Sequence, residues 1–144
     1  MLTLPSAVRE LLDGPNPAVV VTADAAGTPQ ASVVWIAREG DDVAFFCSQG
    51  TMKERNLRGR PDVVVIVVDP VREFEPGGRC YVRITGIAEI ATMPDTSFID
   101  GLAGTYMGLD RFPHEGNYLK VTVTSKRLGG EGPTIGASNH GWGD

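Results

Sequence analysis

Phe45-Phe46-Cys47-Ser48-Gln49-Gly50-Thr51-Met52-Lys53-Glu54-Arg55-Asn56-Leu57-Arg58-Gly59-Arg60 is where the chain changes character. The run from Val43 to Ser48 reads as a strand, Gln49-Gly50 ends it, and Thr51 with Glu54 three places on is the capping-box pattern of a helix start. A helix from Met52 to about Arg58 follows, closed by Gly59 and Pro61. Charge is concentrated here too. Four of the thirteen Lys and Arg stand between Thr51 and Arg60, leaving nine against seventeen Asp and Glu elsewhere. Helix N-termini collect unpaired N–H groups and a partial positive charge, so a basic strand-to-helix junction is a natural seat for a phosphate. The opposing reading is that Thr51 and Glu54 merely cap the helix and use up those N–H groups.

Outward from this junction the chain is mostly strand. A short helix from about Ser6 to Leu12 can share Val8, Leu11 and Leu12 on one face before Asp13-Gly14-Pro15 stops it. Ala18 to Ala23 and Gln30 to Arg38 flank the turn Asp24-Ala25-Ala26-Gly27-Thr28 and predict a hairpin, extended to a meander by Val43 to Ser48. Val63 to Val68 is apolar without alternation, as expected of a strand buried on both faces, inside a closed barrel or beneath a partner subunit. Arg79 to Ala91 sets Tyr81, Arg83 and Thr85 against Val82 and Ile84 with period two. Pro94 to Met107 predicts a helix with Phe98, Leu102 and Tyr106 at spacings of four, and Tyr118 to Ser125 one more strand. The fold class expected is mainly β: a six-stranded antiparallel barrel with two or three peripheral helices. Residues 1–128 are read as this domain and 129–144, rich in glycine, as a C-terminal arm.

Composition bounds the function. A net charge of -5 does not suit a nucleic-acid binder, which needs a broad basic face, although one small anion needs only a few cations. The start Met1-Leu2-Thr3-Leu4-Pro5 lacks a secretory pattern and no apolar run is long enough to span a bilayer, so a cytoplasmic protein with no membrane partner is expected. Cys47 and Cys80 read as small buried strand residues, and with His114 and His140 they offer no metal-ligand spacing, so no metal is expected.

Four motifs in order, Gln30-Ala31-Ser32-Val33-Val34-Trp35, Phe45-Phe46-Cys47-Ser48, Thr51-x-Lys53-x-x-Asn56-Leu57 and Tyr81-Val82-Arg83-Ile84-Thr85-Gly86, resemble the pyridoxamine 5'-phosphate oxidase-like split barrels. Within that superfamily the chain looks closest to the deazaflavin (coenzyme F420)-dependent reductases, over about Ala18 to Ala91 and more loosely to Arg127. The resemblance implies a cofactor in a groove at the interface of a homodimer. It places Thr51, Lys53 and the first helical turn on the phosphate, with Asn56 as support, and Ser32, Val33, Val34, Trp35, Phe46, Cys47 and Ser48 along the ring system. Tyr81 and Arg83 would reach the cofactor held mainly by the other subunit. Flavin mononucleotide (FMN) members often carry Arg where this chain has Met52, which favours F420 over FMN.

The implied function is hydride transfer from reduced F420 to a small organic acceptor. The cofactor carries the chemistry there, which fits the lack of a visible acid–base dyad; no catalytic side chain is assigned. The alternatives are an FMN-dependent oxidase or reductase and a non-catalytic split barrel that binds a flavin or tetrapyrrole. Pyridoxamine phosphate itself is a poor candidate substrate, because no Lys or Arg follows Arg127 to hold its phosphate. His140 and Trp142 in the arm could cap a substrate pocket or make an intermolecular contact.

Overall fold

The structure is a computed structural model that describes residues 2–73 and 78–132. Among the described residues three helices, α1 (Ser6–Asp13), α2 (Met52–Gly59) and α3 (Ser97–Met107), accompany seven strands. The strands are β1 (Ala18–Ala23), β2 (Pro29–Val34), β3 (Ala37–Glu39), β4 (Asp42–Ser48), β5 (Asp62–Glu73), β6 (Arg79–Thr92) and β7 (Tyr118–Glu131). They form one sheet in the order β2-β1-β5-β6-β7-β4-β3, with every neighbouring pair antiparallel.

The expected six strands become seven because the stretch Gln30 to Arg38 is two strands, β2 at one edge of the sheet and β3 at the other. Only Trp35 and Ile36 lie between them. Three residue steps span at most about 10 Å, so the two edges must approach each other there. The sheet therefore curls into a barrel that no β2–β3 hydrogen bonds close, and the chain itself crosses the split. Ile36 is buried at this crossing, where its N–H donates to the Tyr106 hydroxyl at 3.1 Å while that hydroxyl donates to the Asn16 carbonyl at 3.0 Å. A side chain of α3 thus satisfies backbone polar groups at the point where no sheet partner can.

Alternation builds the core. Val20 of β1, Val63, Val65 and Val67 of β5, Val82 and Ile84 of β6, Phe45 of β4 and Val121 and Val123 of β7 are essentially sealed from water. Val8, Leu11 and Leu12 of α1 plug one part of the same cluster. β5 departs from the expectation of burial on both faces: Val64 and Ile66 are half-buried and Val68 is 51% exposed. Their outward neighbours in register are Val19 and Val21 of β1 and Tyr81 of β6, with Val33 beyond at 70% exposure. An apolar sheet face is therefore left open by a single chain.

Two further boundaries differ from the sequence reading. α3 starts at Ser97, with Pro94 ahead of it. β7 runs past Ser125 to Glu131, so Gly129 and Gly130 are strand residues opposite Arg83 and Val82. Residues 133–144 of the expected arm, with His140 and Trp142 among them, lie outside the described residues. Among those described, no helix is long and apolar enough to cross a membrane.

α2 is pinned to the barrel by Leu57, in the core, and by Asn56, whose buried amide donates to the Thr22 hydroxyl at 3.1 Å and to the side-chain Oε1 of Gln30 at 3.4 Å. Asn56→Ala leaves the Thr22 hydroxyl short of a buried partner, and we expect a loss of about 1–3 kcal/mol, measured as a lower urea midpoint with unchanged slope.

Candidate functional site

The junction of β4 and α2 opens onto a cleft of about 400 Å³, within the usual range for small-molecule sites. Val33, Val34 and Trp35 come from the end of β2 and the crossing, Phe46, Cys47 and Ser48 from the end of β4, and Thr51 and Lys53 from the start of α2. Eight of the residues singled out from the sequence are thereby brought together. Phe112, from the loop between α3 and β7, completes the lining.

The end of the cleft at the start of α2 is built by local helix chemistry. Thr51, extended at φ -78° and ψ 162°, is the N-cap: its Oγ1 accepts the Glu54 N–H at 3.4 Å and donates to the Ser48 carbonyl at 2.9 Å. The Glu54 carboxylate reaches back to the Gly50 N–H at 2.6 Å, one residue before the cap, and is held from the other side by Arg58 at 2.8 Å. The Gly50 hydrogen bond first, then Arg58, keep the Glu54 carboxyl below the usual carboxylate range. Capping is real, yet of the helix's own first-turn amides it takes only that of Glu54. The Met52 and Lys53 amides belong to the first turn, where no intrahelical carbonyl is available, and neither capping side chain takes them.

Lys53 is the informative charge. Its side chain is half-buried, its Nζ stands 6.0 Å from the centre of the Phe45 ring, and it makes no ion pair among the described residues. Burial lowers its pKa, against a smaller opposing influence of Cys47. A desolvated ammonium without a carboxylate is unfavourable unless something else supplies the countercharge. By contrast Arg58 is already matched to Glu54, and Arg55 and Arg60 bond the Gly50 and Ala25 carbonyls. Cys47 is buried, and desolvation pushes its thiol up, which suits a wall residue rather than a nucleophile.

The other end of the cleft is aromatic. Trp35 lies flat on Tyr106, with centroids 5.2 Å apart and planes 10° apart, and meets Phe112 edge-on at 5.9 Å. Phe46 meets Phe112 at 5.5 Å and Tyr118 at 5.3 Å, again edge to face. The loop carrying Phe112 is fixed twice: the Phe112 N–H donates to Asp100 at 2.9 Å, and the Gln49 N–H donates to the Asn117 carbonyl at 2.8 Å. A flat apolar slot with a cationic, N–H-rich end suits a planar ring joined to a phosphate.

Five of the singled-out residues do not line this cleft. Ser32 is half-buried on β2 opposite Val20. Met52 is 49% exposed at the first position of α2, and Asn56 is spent on Thr22 and Gln30. Tyr81 and Arg83 stand on the outward face of β6, separated from β2 by β1 and β5. Sequence reasoning missed Phe112. The one signal for it was a bulky aromatic in Arg111-Phe112-Pro113, inside a loop where nothing local calls for one.

The family model described as pyridoxamine 5'-phosphate oxidase matches residues 4–108. Among solved structures, an F420 reductase superposes with a TM-score of 0.73 at 24% identity, covering 87% of this chain and 98% of that one. A conserved hypothetical protein from Mycobacterium tuberculosis gives 0.72 at 15% identity, covering 100% and 94%. HutZ, the heme storage protein from Vibrio cholerae, gives 0.63 at 15% identity, covering 88% and 94%. No curated protein matches the chain. At such identities the structural neighbours speak for the fold alone, and the roles in their names differ. The family match covers most of the chain, from the start of α1 through α3, and the barrel with its crossing strand agrees with it: the chain belongs to the pyridoxamine 5'-phosphate oxidase family.

Proposed function

We propose that the cleft binds reduced coenzyme F420 and that the protein directs hydride from it to a small organic acceptor. The observation that carries this reading is Lys53, a half-buried ammonium without a carboxylate partner among the described residues, beside the two uncapped amides of α2. Lys53 and those amides would hold the phosphate; Trp35, Phe46 and Phe112 would orient the ring and keep water from it. The bound deazaflavin would supply the hydride. FMN is the second reading, and Met52 weighs against it, since the first position of α2 offers no guanidinium to a phosphate. Equilibrium titration separates the two: quenching of F420 fluorescence with weaker or absent FMN binding is expected, whereas a protein that purifies yellow with bound flavin, or that takes up heme instead, would overturn the F420 assignment.

The pKa of Lys53 sets a pH dependence. Burial lowers it in the free protein, and a bound phosphate favours the charged form, so affinity is retained below the free-protein pKa and falls as pH rises through it. Titrations across alkaline pH should show this fall in the wild type and not in Lys53→Ala.

The open face of Val33, Val64, Ile66, Val68 and Tyr81 is read as the contact of a two-fold homodimer, which would bring Tyr81 and Arg83 toward the partner's cleft. Light scattering at twice the chain mass is expected. A monomer would remove Tyr81 and Arg83 from the site.

A further inference from the structure

Tyr106, near the C-terminal end of α3, does not line the cleft, but its ring carries the Trp35 ring that does. Trp35 belongs to no strand: β2 ends at Val34 and β3 begins at Ala37, so no ladder fixes the backbone from which the indole projects. A half-buried ring at such a place takes its plane from its neighbours. The neighbour lying flat on it is Tyr106, with planes 10° apart. We propose that Tyr106 is a positioning residue for the aromatic end of the cleft: it sets the plane of Trp35, and through Trp35 the orientation in which a planar conjugated ring is held, without touching that ring.

Tyr106 can do this because it is itself tied to backbone. Its hydroxyl accepts the Ile36 N–H at 3.1 Å and donates to the Asn16 carbonyl at 3.0 Å, joining the crossing to the loop between α1 and β1. Asn16 is held in turn, since its side-chain amide donates to the Leu11 carbonyl at 2.9 Å near the end of α1. Burial pushes the Tyr106 hydroxyl up, against a smaller opposing effect of the Ile36 bond, so the proton it donates is kept. α3 also stops just past this residue: Gly108 turns left-handed at φ 68° and its N–H donates to the Gly104 carbonyl at 3.1 Å. The hydroxyl therefore fixes where the Tyr106 ring sits, and the face of that ring fixes the plane of Trp35. Phe112 meets the same indole edge-on at 5.9 Å, so a turned Trp35 would lose that contact as well.

That the ring held is a deazaflavin rests on the F420 reading; the role of Tyr106 requires only a planar ring in the cleft. Wild type, Tyr106→Leu and Tyr106→Phe are therefore titrated with F420, with riboflavin, whose tricyclic ring carries no phosphate, and with inorganic phosphate followed at the Lys53 amide by NMR. Tyr106→Leu should weaken F420 and riboflavin about three- to tenfold and change the induced circular dichroism of the bound ring, while phosphate binds as in the wild type. Tyr106→Phe keeps the flat face and loses the hydroxyl; it should keep the sign of that dichroism and bind both rings more tightly than Tyr106→Leu. Gly86→Ala, strained at a position that lines no part of the cleft, should leave affinity and dichroism unchanged, which separates positioning from lost stability. A readout free of any variant is the set of nuclear Overhauser contacts between the Trp35 and Tyr106 rings, which should persist in the wild type with riboflavin bound. The proposal is overturned by wild-type affinity and dichroism in Tyr106→Leu, by the same losses in Gly86→Ala, by ring contacts that vanish on binding, or by a wild type that binds neither ring. If the wild type takes riboflavin with this dependence on Tyr106 but does not take F420, the positioning role stands and the F420 reading falls.

Discussion

Replacing Gly86 by alanine should destabilise the protein by about 3 kcal/mol, lowering the melting temperature by roughly 10 °C. Gly86 lies where the β6–β7 ladder slips register, between Thr85 and Gly86. A Cβ there would fall onto the Thr124 carbonyl oxygen and within 2.7 Å of Val123 Cγ1. The first obstacle is backbone in the most extensively paired part of the sheet, so relief requires moving β7 away from β6 and breaking ladder bonds. Gly101→Ala is the contrasting control: it stands in the exposed interior of α3 with nothing within 4 Å, and should gain about 0.5–1 kcal/mol from helix propensity. Thermal unfolding of both variants reads the difference. A Gly86→Ala protein as stable as the wild type would show that β6 and β7 do not approach as described.

Lys53→Ala should weaken cofactor binding by about 10- to 100-fold, the usual worth of one hydrogen-bonded charge at a ligand, while the fold persists. Burial already disfavours this ammonium in the free protein, so its removal relieves a cost of folding rather than adding one. Stability should hold or rise slightly as affinity falls, a pairing that separates a ligand-binding charge from a structural one. Thr51→Ala should behave differently, losing about 1 kcal/mol of stability with the cap. Unchanged affinity in Lys53→Ala would remove the phosphate from this end of the cleft.

Much of this architecture was legible because strands with one buried face advertise it. The alternation in Arg79 to Ala91 and the turn at Asp24 to Thr28 specify their elements locally, and so does the Thr51–Glu54 cap. The division of Gln30 to Arg38 was not legible. No Gly or Pro interrupts that stretch, and the break at Trp35-Ile36 is imposed by the sheet edges meeting there, with Tyr106 bonding the crossing from 70 residues away. The end of β7 misled in the opposite sense. Gly129-Gly130 reads as loop, yet Gly130 sits at φ 130° where a Cβ would strike the Tyr81 carbonyl, so the glycine is there to permit pairing. At the site, residues in the regular elements flanking the β4–α2 junction could be placed from their order. Phe112 could not, because a loop carries no period and its position depends on Asp100 and Gln49.

A crystal structure of the protein with F420 bound tests the central claim most directly. The account predicts the phosphate within hydrogen-bonding distance of Lys53 Nζ and the Met52 and Lys53 amides, with the ring between Trp35, Phe46 and Phe112. A phosphate seated elsewhere, with Lys53 still lacking an anionic partner, would contradict it.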